Sequence, residues 1–159
     1  MLFQTTILNG VRIIVYPDGT LLKYSHRGTK DYMKGWNIVT GWIDEKTGYQ
    51  RVMINKRYYS FHRIIGFVFL GLDIENKKIQ IDHIDRNKLN NQVSNLRIAT
   101  QQQNMWNRGF KGYSWNSVSK RYQAQIRVNK KCICLGSYKT KEEAHQAYLD
   151  AKKIHHIIE

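Results

Sequence analysis

At 159 residues, with 42% hydrophobic residues and a single proline, the chain suits one mid-sized domain or two small ones and is too apolar to stay disordered. Its 26 Lys+Arg against 12 Asp+Glu leave a formal net charge of +14. Such an excess points to a polyanion, because each neutralised phosphate releases condensed counterions. No apolar run approaches ~20 residues and no signal-peptide pattern opens the chain, so a cytoplasmic protein is expected, with no membrane partner.

The first 58 residues read as β-rich. VRIIVYPDGTLLKY predicts two strands around the turn Pro17–Gly19, and GYQRVMINKRYYSF predicts a second pair turning at Asn55–Lys56. The polar segment 25–35 is ambiguous. SFHRIIGFVFL predicts a helix with Ser60 as N-cap, since Phe61, Ile64, Ile65 and Val68 recur at helical spacing. His62 falls beside that apolar face, as a boundary histidine. KIQID (78–82) and NLRIAT (95–100) predict strands joined by a polar loop. The pair Thr100 and Gln103 then signals a capping box that opens a helix ending near Gly109.

A second unit starts near Gly109. GYSWN, RYQAQIRV and CICLGSY predict three antiparallel strands, with turns at Ser117–Lys120 and Asn129–Lys131. Thr140 and Glu143 form another capping-box pattern. Ala144, Ala147, Tyr148 and Ala151 give the following helix its apolar stripe. The expected fold class is α+β. Cys132 and Cys134 are two apart, too close for an easy disulfide, and are read as reduced strand residues. A zinc site shared with His155 and His156 is the weaker alternative.

The chemistry concentrates in IDHIDRNKLNNQVSNLRIATQQQNMWN, residues 81–107. Asp82 offers a carboxylate and Asn104 a neutral carbonyl oxygen. These hard donors suit Mg²⁺ or Mn²⁺, one ion per site, with phosphate and water completing the shell. His83 can accept a proton from water near neutral pH. A base, a hard ion and a basic surface suit phosphodiester hydrolysis that leaves a 5′ phosphate and a 3′ hydroxyl. Asp82 and His83 are neighbours, so a regular strand would send them to opposite faces. The reading therefore expects the Asx-rich stretch Asp85–Asn91 to pull the chain out of strand geometry there. Asn95 is placed to anchor that loop through backbone amides. The bland alternative is a polar Asx loop without catalysis.

The stretch resembles the HNH endonucleases, the ββα-metal nucleases, and within them phage and intron-encoded homing-type members. The resemblance rests on DH at 82–83, NN at 90–91, NLR at 95–97 and QQQN at 101–104, with FHRIIGFVFL upstream, and covers roughly residues 35–108. It implies His83 as general base, Asp82 and Asn104 as metal ligands, and Asn95 as the loop-orienting residue. The domain reading is residues 1–108 as a β-rich extension leading into the nuclease unit, whose ββα core is about 78–108. The last helix carries Asn104, Asn107 and Arg108 and no histidine, which favours a hard ion over zinc.

Residues 109–131 contain Lys111, Lys120, Arg121, Arg127, Lys130 and Lys131 and no acid. In RYQAQIRV, Arg121, Gln123, Gln125 and Arg127 alternate with Tyr122, Ala124 and Ile126, giving one polar basic face and one apolar face. The first can meet the major groove, where Arg and Gln pair with guanine and adenine edges. Residues 109–156 resemble an AP2 DNA-binding domain in KGYSW (111–115), RYQAQIRV (121–128), CLGSYKTKEEAHQAY (134–148) and DAKKI (150–154). That resemblance implies a sheet docked on DNA. By position, Ser114 and Trp115 join Arg121, Gln123, Gln125 and Arg127 on its contact face.

Together these readings predict a site-specific endonuclease on duplex DNA. A monomer would nick and a homodimer could cut both strands, with no other protein partner implied, in bacterial cytoplasm if phage-encoded. Its rivals are a non-catalytic DNA-binding regulator with a degenerate HNH fold and, more weakly, an RNA-binding or RNA-cleaving protein.

Overall fold

The structure, a computed structural model, describes residues 3–25 and 35–157. Most of the polar segment 25–35 lies outside them. The chain divides into two compact units, Met1–Asn104 and Met105–Glu159. That boundary falls four residues before the one expected after residue 108.

The first unit begins with a four-stranded antiparallel sheet, β1 (Gln4–Leu8), β2 (Val11–Val15), β3 (Leu21–Ser25) and β4 (Gly35–Ile38), ordered as in the chain. Leu8 pairs with Val11, so Asn9 and Gly10 form a two-residue hairpin turn. Both have positive φ, 49° and 76°, the conformation that turn requires. The expected turn at Pro17–Gly19 joins β2 to β3. β5 (Trp42–Ile43), β6 (Gln50–Ile54) and β7 (Arg57–Ser60) form a second antiparallel sheet. Its β6–β7 turn is Asn55–Lys56, as the sequence predicts, again with positive φ at both residues. The side chain of Asn9 donates to the Ile54 carbonyl at 3.1 Å, and that of Asn55 donates to the Asn9 carbonyl at 3.1 Å, so the two turns tie the sheets together.

Helix α1 (Phe61–Phe69) follows directly. Ser60 takes the N-cap position without the side-chain bond expected of it. Phe61, Ile64 and Ile65 are buried with Leu8, Ile13, Val15, Leu21, Val52, Ile54, Leu72, Ile81 and Leu96 in one core. Burying each large aliphatic side chain is worth about 2 kcal/mol. Two features of α1 position what comes next. A Cβ at Gly66 would stand 2.6 Å from Cδ1 of Ile81, so the glycine lets the following strand lie close. Arg63 donates to the carbonyls of Ile74, Asn76 and Ile79 at 2.9, 3.0 and 2.9 Å, which fixes the loop that delivers that strand.

That strand is β8 (Gln80–His83), paired antiparallel with β9 (Leu96–Ala99). A short 3-10 turn, Val93–Asn95, precedes β9, and α2 (Gln101–Asn107) follows it. The capping box is made: Gln103 N–H donates to Thr100 Oγ1 at 3.2 Å, and Thr100 N–H donates to Gln103 Oε1 at 2.9 Å.

In the second unit, β10 (Tyr113–Asn116), β11 (Arg121–Val128) and β12 (Lys131–Tyr138) form an antiparallel sheet covered by α3 (Lys141–His155). Ile126 and Ala124 from β11 are buried, as are Ala144, Tyr148 and Ala151 from α3. The Thr140/Glu143 capping box is complete. Glu142 and Glu143 in the first turn and Lys152, Lys153 and His155 in the last complement the helix dipole. A bulge between Ala124 and Gln125 sets Gln125 opposite Cys134.

Candidate functional site

Asp82, His83, Asn91 and Asn95 are all less than 10% exposed. Polar groups buried this deeply are costly unless bonded, and the bonds they make define the site.

The loop 84–95 closes on Asp85. Its carboxylate accepts from the Asn87 N–H at 2.7 Å and from the side chains of Asn90 and Asn95 at 2.7 and 2.9 Å. The Asn90 bond leads the contributions that hold the Asp85 carboxyl below its usual range. Asn95 also donates to the Asn90 carbonyl at 2.8 Å and accepts from the Asp85 N–H at 3.0 Å. Its own carbonyl accepts from the Ile84 N–H at 2.9 Å. One buried amide thus stitches both ends of the loop. Lys88 holds the loop's tip by donating to the Thr47 carbonyl at 2.7 Å, with its ammonium 4.9 Å from the Tyr49 ring centroid.

One expectation is corrected. The chain does not leave strand geometry between Asp82 and His83. Both belong to the regular ladder, Asp82 opposite Arg97 and His83 opposite Leu96, and the departure comes after His83, with positive φ at Arg86. The reason is that the loop's Asx bonds begin at Asp85 and act on residues beyond it. Asp82 and His83 therefore leave on opposite faces of the last two residues of β8, from Cα atoms about 3.8 Å apart.

The Asp82 face carries Gln80, two residues back. Asn104 from α2 donates its side-chain N–H to Gln80 Oε1 at 2.6 Å. That bond brings Asn104 to the face of Asp82 and turns its carbonyl oxygen away from Gln80. Arg97, directly across the ladder, donates Nε–H and Nη2–H to Asp82 Oδ2 at 3.0 and 2.7 Å. Arg97 carries no local signal of this contact; its place opposite Asp82 follows from pairing the two strands.

On the other face, His83 Nε2 lies 3.2 Å from Asn91 Oδ1. The ring stacks on Tyr49 at 5.9 Å between centroids and meets His62 edge-on at 5.3 Å; Tyr49 and His62 stand 4.5 Å apart. His62 is thus buried in the site and is not the boundary residue its helical position suggests, because Tyr49 and β8 cover it. Burial pushes its pKa down to about 3 from an ordinary 6.5. Burial also lowers that of His83, while the Asn91 bond and the charges of Asp85 and Asp82 oppose the shift. Both imidazoles are neutral at pH 7, and a neutral His83 is the form that can accept a proton.

Among the described residues no cluster of three His, Cys, Asp or Glu could by itself hold a metal. On the Asp82 face the described residues offer the Asp82 carboxylate, whose Oδ2 accepts from Arg97, and the Asn104 amide oxygen. That set fits a hard divalent ion drawing most of its ligands from water and phosphate, and does not fit a closed structural zinc site.

In the second unit, Arg121, Gln125 and Arg127 are exposed on one face of β11, with Gln123 half-buried between them. Register adds Ser114, opposite Gln123, and Cys132 and Cys134, opposite Arg127 and Gln125. Trp115 is corrected: it pairs with Tyr122, which puts it on the opposite face, its ring 4.7 Å from the Tyr122 ring. Strand alternation forbids Ser114 and Trp115 from sharing a face. Lys131 pairs with Val128, also on the helix-covered side; Lys111 and Lys130 are exposed outside the strands. The two cysteines are free and exposed. His156 is engaged elsewhere, stacked on Trp106 at 4.6 Å with Nε2 3.0 Å from the Arg127 carbonyl. No helix among the described residues is long and apolar enough to cross a membrane.

Residues 59–106, from β7 through α2, match the family model for HNH endonucleases. An HNH endonuclease of Acanthamoeba polyphaga mimivirus is 35% identical over 122 residues, 71% of this chain and 62% of that protein. A solved structure of DNA binding and cleavage by the HNH homing endonuclease I-HmuI aligns with a TM-score of 0.46 at 25% identity, over 65% of this chain and 56% of that one. The chain thus spans less than two thirds of the length of either relative.

Proposed function

We propose that this chain is a DNA endonuclease of the homing or phage HNH type, hydrolysing one phosphodiester of duplex DNA to a 5′ phosphate and a 3′ hydroxyl. The observation that carries the reading is the end of β8, where a buried imidazole and a buried carboxylate leave adjacent residues inside the segment matching HNH endonucleases.

A phosphate lying across that strand end meets His83 on one side and Asp82 with Asn104 on the other. His83 accepts the proton of the attacking water, a role worth roughly 100- to 10,000-fold in rate. Asn95 keeps the loop closed behind it. Asp82 and Asn104 would hold one Mg²⁺ or Mn²⁺, which supplies charge neutralisation at the phosphate and the departing oxygen. The Arg97 guanidinium already offsets the Asp82 charge, so the cation and the DNA phosphate bind best together. The β10–β11–β12 sheet works as an AP2-like reader, presenting Ser114, Arg121, Gln123, Gln125 and Arg127 to the major groove, with Lys111 and Lys130 on phosphates. A monomer has one such site and nicks; a homodimer cuts both strands.

Nicking of supercoiled plasmid in Mg²⁺, abolished by EDTA, tests this reading. Binding that survives EDTA with no nicking in any divalent metal contradicts it. A second reading, a DNA-binding protein without catalysis, draws support from the Arg97–Asp82 ion pair, which engages Oδ2 of the carboxylate. The same plasmid assay separates the two, and RNA competition measures any preference for RNA.

A further inference from the structure

The orientation of His83 is set from a distance. The side-chain Nε2 of Gln50, on β6, donates to the Thr40 carbonyl at 2.6 Å. Gln50 Oε1 accepts from Asn91 Nδ2 at 3.1 Å. Asn91 Oδ1 in turn lies 3.2 Å from His83 Nε2. A backbone carbonyl can only accept a hydrogen bond, and that constraint propagates. Gln50 must present its N–H to Thr40 and therefore its oxygen to Asn91. Asn91 must spend its N–H on Gln50 and therefore shows its oxygen to the ring. Only a protonated Nε2 completes the series.

We infer that Gln50 and Asn91 are positioning residues that fix His83 as the Nε2–H tautomer and so leave the accepting lone pair on Nδ1. The inference rests on the proposed role of His83 as the base and adds which nitrogen does the work and what decides it. Gln50 lies outside the segment that matches the HNH family model, so this support comes from the preceding sheet. Tyr49 stacked on the ring and His62 at its edge restrict its rotation, so the ring keeps Nε2 toward Asn91.

The test uses the full chain and its variants Gln50→Leu and Gln50→Glu, with folding checked by thermal melting. Long-range ¹H–¹⁵N correlation of the His83 ring reads the tautomer directly, whether or not the protein cleaves DNA. The wild type is expected as Nε2–H. Gln50→Leu frees Asn91 to turn, so His83 becomes a mixture and single-turnover cleavage falls ~10-fold with DNA affinity unchanged. Gln50→Glu loses the donation to Thr40 but still accepts from Asn91, so it should restore the single tautomer and most of the rate. A purely structural tie to Thr40 would make Glu as damaging as Leu, and that result overturns the relay. So does an Nδ1–H ring in the wild type, or an unchanged spectrum and rate in Gln50→Leu. A wild type that shows the expected spectrum and cuts no DNA leaves the relay standing and removes the nuclease reading instead.

Discussion

In the hairpin of β8 and β9, Asp82, His83, Asn91 and Asn95 are buried and hydrogen-bonded. In the sheet of β10, β11 and β12 Arg121, Gln125 and Arg127 stand in solvent. The difference separates two tasks. Buried, mutually bonded amides and carboxylates hold a geometry, since each unmade bond would cost about 1–3 kcal/mol. Exposed Arg and Gln side chains on a flat sheet face hold no geometry and are available to a ligand. The first arrangement suits chemistry on one phosphate, the second recognition along many.

Substitutions should therefore separate rate from affinity. The largest effect is expected from Asp82→Asn, which removes the charge facing Arg97 and the only carboxylate proposed for the cation. Cleavage should fall by roughly 100-fold or more in a Mg²⁺ titration, with DNA binding retained. Next comes Arg121→Ala with Arg127→Ala. Each lost base-edge pair costs ~1–3 kcal/mol, so the double variant should weaken DNA binding at least ~10-fold in a mobility-shift assay, with thermal stability unchanged. If affinity holds, the sheet face is ordinary solvated surface.

Asn95→Ala leaves the Asp85 N–H and carboxylate short of partners. About 2 kcal/mol of stability should be lost in urea unfolding, together with cleavage. Acid should act through His62. Its pKa is depressed in the folded state, so the unfolded chain binds the extra proton. Stability is therefore full above about pH 6.5 and declines as pH falls toward 3. His62→Phe, which cannot take up that proton, should flatten the loss when melting temperature is followed against pH. The smallest effect, ~1 kcal/mol, belongs to Thr140→Ala at the α3 cap and should leave cleavage untouched.

What was legible in the sequence was local. The turns at Pro17–Gly19 and Asn55–Lys56, both capping boxes and the alternation of β11 each depend on residues within a few positions of one another. The Asn9–Gly10 turn was equally readable, since Asn-Gly between apolar runs is a strong hairpin signal, and the strand before it went unassigned. Trp115 could have been placed by the same alternation rule that placed Arg121. The burial of His62 and the bond from Asn91 to Gln50 have no local signature: the latter joins residues 41 apart. Such contacts exist only once the β6 sheet packs against α1 and β8, so helical spacing around residue 62 could not reveal them.

The account turns on the imidazole at the end of β8. Single-turnover cleavage of a duplex target by His83→Ala, with DNA affinity measured in parallel, tests it most directly. A rate at least ~100-fold below wild type at unchanged affinity is the predicted result. Cleavage at the wild-type rate would place the reacting water elsewhere.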